Sequence, residues 1–416
     1  MIILVKPREV GGSFMQDTPQ IISVDDHVTE PPDVWLNRLP KAVVQERGPK
    51  IVRKKLQFVG GTKGREWIET EDGDPCDAWV YDDATLPISW LTNAIGQESI
   101  DFEVTTFDEI RPGCWRQKER LEDMASNHVS AAMCFPNQFR FAGQTFSERA
   151  DKEYGLQCIR AYNDWMIEEW CGGDGKGILL PVTVVPLWDA NLAAEEIRRC
   201  ANKGSYLVSF PENPWPLGFP SLYTKERFWD PFFQACEETN TIVNMHIGSS
   251  SRMTQTSDDA PFIVSSTLTF ANSQMSLLDY IFSGTLERFQ SLKLSYSEGQ
   301  VGWQPFVVER ADKLWGERDD NEFGSGLKKP PSEYIRERVF YCIFDDDTGL
   351  RNRDYIGMSQ ILFETDYPHA DSTFPHTKET FERITTKAGM TEQEAYALAR
   401  GNAIRGFNLE RYGITA

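Results

Sequence analysis

Acidic and imidazole side chains gather at four points where short apolar runs end. Asp25 and His27 follow Ile21-Ile22-Ser23-Val24. His246 follows Thr241-Ile242-Val243-Asn244-Met245. Glu298 follows Leu292-Lys293-Leu294-Ser295-Tyr296-Ser297, and Asp366 follows Gln360-Ile361-Leu362-Phe363-Glu364-Thr365. The spacing Asp25-x-His27 puts both side chains on one face of a strand, because strands repeat every two residues. Both can then reach one cation. His246 offers a neutral imidazole nitrogen. Asp366 offers a terminal ligand, or the base that takes a proton from metal-bound water. Glu298 offers a bridge between two ions, or a carboxylate that orients water. A divalent ion lowers the pKa of its water to about 7 and makes hydroxide available at neutral pH. No cysteine stands at these positions, so the donors are hard to borderline and suit Zn, Mn or Fe.

Two more imidazoles follow in Asp366-Tyr367-Pro368-His369-Ala370-Asp371-Ser372-Thr373-Phe374-Pro375-His376. Pro368 and Pro375 stiffen this loop. The chain has five histidines, and His27, His246, His369 and His376 lie at or just past the run ends. His369 and His376 are expected to bind a second metal, with Glu298 bridging or adjacent. The other role open to them is substrate binding or proton transfer. Spare N/O donors around a single cation would leave buried carboxylates unpaired, at a cost. His128 stands before a run, in a turn where Asn127 tolerates the left-handed region, and is expected on the opposite rim. Glu212 reads as a solvent-facing or loop-fixing residue, with a bridging carboxylate as its alternative role. Ser250 and Ser251 are candidates to hydrogen-bond a substrate. G-x-S-x-G is absent, so nothing argues for a serine nucleophile.

Donors so far apart in the chain meet only if the fold gathers strand ends. Four further apolar runs, at 129–135, 178–187, 205–210 and 339–344, complete a set of eight. Helical spacing of apolar residues predicts helices over 148–170, 190–202, 227–239, 274–290 and 303–315. Two more are predicted after the last run, over 377–387 and 391–407, with Thr391 and Glu394 at capping-box spacing. Strand and helix alternate, which predicts an α/β fold, a (β/α)8 TIM barrel with its active site on the C-terminal rim. About a hundred residues separate the first two runs. Trp67, Trp79, Trp90 and Trp115 lie there, expected mostly as packing residues, with lining of a substrate pocket as the alternative role for one or two of them. A structureless loop of that length is improbable. An inserted lid over about 45–118, with a hairpin near 55–81, is expected to cover the barrel mouth. Residues 1–19 read as an N-terminal tail, 20–416 as one metal-dependent barrel domain, and 319–331 as a surface loop.

The balance of 63 acids against 43 bases gives a net charge of -20. That argues against nucleic acid and anionic membranes as partners. The eight cysteines include no C-x-x-C pair and read as reduced, buried thiols of a cytoplasmic protein. No run approaches the ~20 apolar residues of a membrane helix. The expected partners are a small-molecule substrate and other subunits, as a homo-oligomer or with a homologous subunit.

The motifs Val24-Asp25-Asp26-His27-Val28-Thr29-Glu30-Pro31-Pro32-Asp33-Val34-Trp35, Ser297-Glu298-Gly299-Gln300-Val301-Gly302-Trp303 and Glu364-Thr365-Asp366-Tyr367-Pro368-His369 carry a resemblance, with Asn402-Ala403-Ile404-Arg405-Gly406-Phe407. Over roughly residues 20–410 the sequence resembles the amidohydrolase superfamily. The branch is the one with aminocarboxymuconate-semialdehyde decarboxylase and the resorcylate decarboxylases. The resemblance implies a metal held by Asp25, His27, His246 and Asp366. Asp25 replaces the family's first histidine, a change found in related members. Glu298 stands where a catalytic histidine is often found, which weakens the decarboxylase implication. The added carboxylate, with His369 and His376, is similar to a dinuclear subgroup that includes a thioester hydrolase and an iron- or manganese-dependent amine hydroxylase.

The leading expectation is a hydrolase holding one or two divalent ions. Metal-activated water would attack an amide, ester or thioester carbonyl, with Asp366 and Glu298 as the catalytic carboxylates. The alternatives are a dinuclear Fe/Mn oxygenase hydroxylating a small amine or hydrocarbon, and a non-oxidative decarboxylase. A non-catalytic barrel subunit is the fourth reading, and the intact donor set argues against it.

Overall fold

The computed structural model describes residues 17–61, 64–95, 102–316 and 326–415. Residues 1–16 of the expected tail and 319–325 of the expected loop lie outside the described residues. The strands, in chain order, are β1 (Ile21–Val28), β2 (Lys50–Gly61), β3 (Gly64–Glu69), β4 (Asp74–Tyr81), β5 (Ala84–Pro87) and β6 (Val129–Pro136). They continue as β7 (Leu179–Thr183), β8 (Leu207–Ser209), β9 (Ile242–His246), β10 (Leu294–Ser297), β11 (Val339–Ile343) and β12 (Ile361–Phe363). β1 and β6 to β12 form one eight-stranded sheet in chain order, and each strand is parallel to the next. All eight apolar runs are therefore barrel strands. The bounds shift in places. β1 runs on through Asp25, Asp26 and His27, because its pairing with β6 resumes at Cys134 and Phe135 after an irregularity.

β1 and β12 meet at a seam. His27 N–H donates to Tyr367 O (2.6 Å), Asp366 N–H to Asp25 O (2.8 Å), and Thr365 N–H to the Ser23 hydroxyl (2.9 Å). The fold is thus a (β/α)8 barrel. Its helices include Ala190–Asn202 and Thr377–Lys387, as expected from their spacing. The stretch expected over 148–170 starts later, at Lys152, because the Asp151 carboxylate caps it by accepting from Tyr154 N–H. The last stretch opens with the expected capping box, Thr391 with Glu394, and ends in the short helix Asn402–Phe407.

Strand alternation sorts the core. Leu294, Tyr296, Val339, Tyr341, Ile361 and Phe363 face the helices. Ile22, Met133, Leu180, Leu207, Ile242 and Leu362 face inward, where Ala403, Ile404 and Phe407 plug the lower end. Higher on the same inward faces stand Asn244, Ser295, Ser297 and Glu364, all fully buried. The barrel interior thus runs from apolar at the plug to polar below the rim.

The insertion between β1 and β6 is larger than a hairpin. It is a four-stranded antiparallel sheet in the order β3-β2-β4-β5. Trp79 is fully buried and crosses the Trp35 ring at 80° and 4.9 Å, so it is a packing residue. Trp67 packs on Phe58. The end of the insertion reaches the barrel mouth. Thr92 O accepts from Asn137 Nδ2 (3.1 Å), and Ala94 N–H donates to Pro368 O (2.9 Å). Among the described residues, no helix is long and apolar enough to cross a membrane.

The plug depends on a glycine. A Cβ on Gly406 would lie 2.6 Å from Phe340 Cε1. Gly406→Ala should therefore force the helix off β11, an overpacking cost of about 1–3 kcal/mol. A lowered thermal midpoint with unchanged metal content is expected. An unchanged midpoint would show that the contact relaxes freely.

Candidate metal centre

Two strand ends present facing imidazoles. His27 is the penultimate residue of β1 and His246 the last of β9, and both are fully buried. His27 Nδ1 lies 3.1 Å from Pro136 O, and His246 Nδ1 lies 2.7 Å from Ile247 O. A carbonyl only accepts, so each Nδ1 carries the proton and each Nε2 keeps a lone pair. Burial, then the neighbouring His369 and His246 rings, holds His27 well below the usual imidazole range. Burial takes His246 down to about 3. The two bare Nε2 atoms lie 2.9 Å apart. Lone pairs at that separation repel unless an electrophile sits between or beside them.

Carboxylates surround this pair. The Asp25 oxygens lie 3.4 Å from His27 Nε2 and 3.4 Å from His246 Nε2. Asp366 Oδ1 is 3.6 Å from His27 Nε2, and Glu298 Oε2 is 3.6 Å from His246 Nε2. Both Asp25 oxygens and Asp366 Oδ2 are buried without a hydrogen-bond donor. Burial, and then repulsion from Glu364 and Glu298, pushes Asp25 well above the usual range. Burial, then Glu298, Asp371 and Asp25, does the same to Asp366. Buried oxygens without donors, beside bare imidazole nitrogens, fit a divalent cation.

The donors fall into two groups that share Asp366. His27, His246, Asp366 and His369 each bring one donor atom within 4.8 Å of the others, and so do Glu298, Asp366 and Asp371. His369 joins the imidazole group. Its Nδ1 is 2.9 Å from Asp366 Oδ1, and its ring stacks on His27 at 3.9 Å. His376 is not brought to either group. Its N–H donates to Thr373 O (2.8 Å), the chain turns there into Thr377–Lys387, and the side chain is exposed. A second set built on His369 and His376 is therefore not what the loop forms. Asp371 stands in that place.

Neighbours hold the donors. Asp26 points away from its flanking donors, accepting from Ser23 Oγ (2.8 Å) and Thr365 Oγ1 (2.5 Å). Buried Arg120 donates to His27 O (2.5 Å) and lies over the Tyr367 ring. Half-buried Phe141 stands 4.0 Å from the His246 ring and 4.8 Å from the His27 ring. Sequence reasoning missed Asp371, Arg120 and Phe141. Glu364 shares strand parity with Asp366, and that was its only signal. Ser250 and Ser251 fix loops: Ser250 Oγ accepts from Asn213 N–H (2.7 Å), and Ser251 Oγ accepts from Arg140 Nη1 (2.7 Å). His128 sits at the opposite rim, as expected, but it takes the left-handed backbone itself, at φ 64°.

Glu212 joins neither group. It is fully buried past β8, accepts from Ser273 Oγ (3.2 Å), and leaves Oε2 without a partner.

A family model described as "Amidohydrolase" matches residues 100–409. The γ-resorcylate decarboxylase of Rhizobium radiobacter is 23% identical over 281 residues, spanning 62% of this chain and 79% of the relative. An amidohydrolase from Mycobacterium avium subsp. paratuberculosis superposes with a TM-score of 0.63 at 18% identity, over 94% of this chain and 99% of the other. A dihydroxybenzoic acid decarboxylase from Polaromonas, with bound manganese and 2-nitroresorcinol, gives a TM-score of 0.61 at 16% identity, over 94% and 98%.

Glu212 sets a pH dependence. Burial pushes its carboxyl from 4.5 to about 8. The folded protein then keeps a proton that the unfolded chain releases. Its contribution to stability is full below pH 4.5 and is lost as pH rises through about 8. Relative to wild type, Glu212→Gln should gain about 1.4 kcal/mol per pH unit across that window. Denaturant melts at pH 5, 6.5 and 8 check this. Parallel curves for the two proteins would refute the assignment.

Proposed function

The chain belongs to the amidohydrolase family, and on that premise we propose a divalent-metal-dependent hydrolase acting on an amide, ester or thioester carbonyl of a small molecule. The observation that carries the metal is the pair of unprotonated Nε2 atoms 2.9 Å apart. The second donor group, sharing Asp366, supports a two-cation arrangement and hence water activation. Asp25, His27, His246 and Asp366 would hold the first ion, and Glu298, Asp366 and Asp371 the second. Manganese is the preferred ion, with iron or zinc as substitutes.

A bound ion supplies a Lewis acid for the carbonyl and lowers the pKa of water. The side chains do the rest. His369 Nδ1, 2.9 Å from Asp366 Oδ1, orients that carboxylate. Asp366 Oδ2, buried and without a donor, is the acceptor for the proton of the attacking water. Glu298 orients that water. Phe141 gives the mouth an apolar wall beside the imidazoles and favours a substrate with an aromatic or alkyl portion. The 89–95 segment, tied to Pro368 and Asn137, narrows access.

Decarboxylation of a hydroxybenzoate is the second reading, and the activities of the relatives favour it. Glu298 is the observation against it, since a third carboxylate beside the imidazoles repels a substrate carboxylate.

Metal removal by dipicolinate should abolish turnover, and Mn2+ should restore it. Wild type should bind about two Mn2+ per chain, and Asp371→Ala about one, as expected for a two-metal site. His27→Ala should lose activity by about a thousandfold or more, while the metal-free forms of the two proteins melt alike, because its ring serves the cation and not the core. A panel of esters, thioesters and dihydroxybenzoates, read for released alcohol or thiol against CO2, separates the two activities. CO2 release without hydrolysis would replace the first reading by the second.

A further inference from the structure

Glu298 is held in an uncommon backbone. Its φ is 53°, and Gln300, two residues on, has φ 47°. Neither is glycine, and left-handed backbone is costly for residues with a Cβ. Such outliers persist only where the surroundings enforce them. The turn between them is tight: a Cβ on Gly299 would lie 2.8 Å from Tyr296 Cβ. Gln300 N–H is fixed by Cys342 O at 3.1 Å. Glu298 N–H is fixed differently, by a side chain. It donates to Glu364 Oε2 at 3.1 Å, across the barrel interior from the end of β12.

Glu364 is fully buried, and its Oε1 has no hydrogen-bond partner. Among the described residues, the Glu298 amide is the one hydrogen bond made to its side chain. A buried carboxylate is costly to keep, and this one spends its contact on a single backbone amide. We infer that Glu364 is a positioning residue, which fixes the left-handed turn at Glu298 and so aims the Glu298 carboxylate at the donor group it forms with Asp366 and Asp371. This deepens the two-cation reading and rests on it. Without the anchor, the turn relaxes towards negative φ and the Glu298 carboxylate leaves the group, while the imidazole group stays.

Three variants test this. Glu364→Gln keeps an oxygen able to accept the amide, Glu364→Leu removes it, and Glu364→Asp withdraws it by one methylene. Hydrogen exchange resolved at the Glu298 amide reads the anchor directly, with or without Mn2+. Exchange should speed by about tenfold or more in the Leu and Asp variants and stay within about threefold of wild type in Gln. Equilibrium dialysis with Mn2+ should show the second ion bound about tenfold more weakly in Leu and Asp, with the first unchanged. Wild-type protection in both Leu and Asp overturns the inference. So does equal loss of metal in Gln and Leu, which would make Glu364 a ligand. If the Leu variant does not fold, the Asp and Gln pair decides by the same criteria. A wild-type chain that takes up one ion overturns the two-cation reading alone, and the exchange comparison still decides the role of Glu364.

Discussion

Two imidazole nitrogens that cannot both stay bare govern this structure. His27 and His246 have each committed Nδ1 to a carbonyl, which leaves their Nε2 lone pairs face to face. Buried carboxylates crowd the same space and raise one another's pKa. Positive charge relieves both problems at once. Arg120, buried with the group, serves Asp26 and the His27 carbonyl and so lies behind the donors. The surplus negative charge that defines the site is thus left for a cation to balance. The graded barrel interior prepares this, since the strands that are apolar at the plug turn polar just below the rim.

The barrel was legible because its signal is repeated. Eight apolar runs alternate with helical periodicity, and each is a strand. Asp25 and His27 were legible because strand parity aims side chains without knowledge of the backbone beyond. The same parity applied to Glu364 and Asp366, yet Glu364 stood inside an apolar run and read as part of it. The loop after β12 was harder. Side-chain direction there depends on turns, and spacing does not encode those. His376 was expected among the donors, but the chain folds back at Thr373 and turns it to solvent. Asp371, which carried no signal, takes part instead. The left-handed backbone at Glu298 and Asp366 was invisible for the same reason, since neither is glycine.

The insertion shows where pattern and tertiary context part. Its turn-like Glu71-Asp72-Gly73-Asp74-Pro75 lies between β3 and β4, which are both antiparallel to β2 and so run in the same direction. The sheet order is nonetheless β3-β2-β4-β5, so β3 and β4 both pair with β2 and not with each other. A local turn signal here marks a break between strands, while direction and pairing are decided by which edges find partners. Trp79 fits that account, since its environment is the buried Trp35 and Phe139.

The seam between β1 and β12 has a mechanical consequence. It is joined by few backbone bonds, and one of its acceptors is a serine hydroxyl. Asp25 and Asp366 sit on its two sides, joined directly by Asp366 N–H to Asp25 O. The ring of strands is therefore clasped at the point where its charge is greatest. A sub-global opening that parts these strands would separate the donors while the other seven joints still hold. Whatever binds between the donors resists that opening, so the occupant of the site also locks the ring.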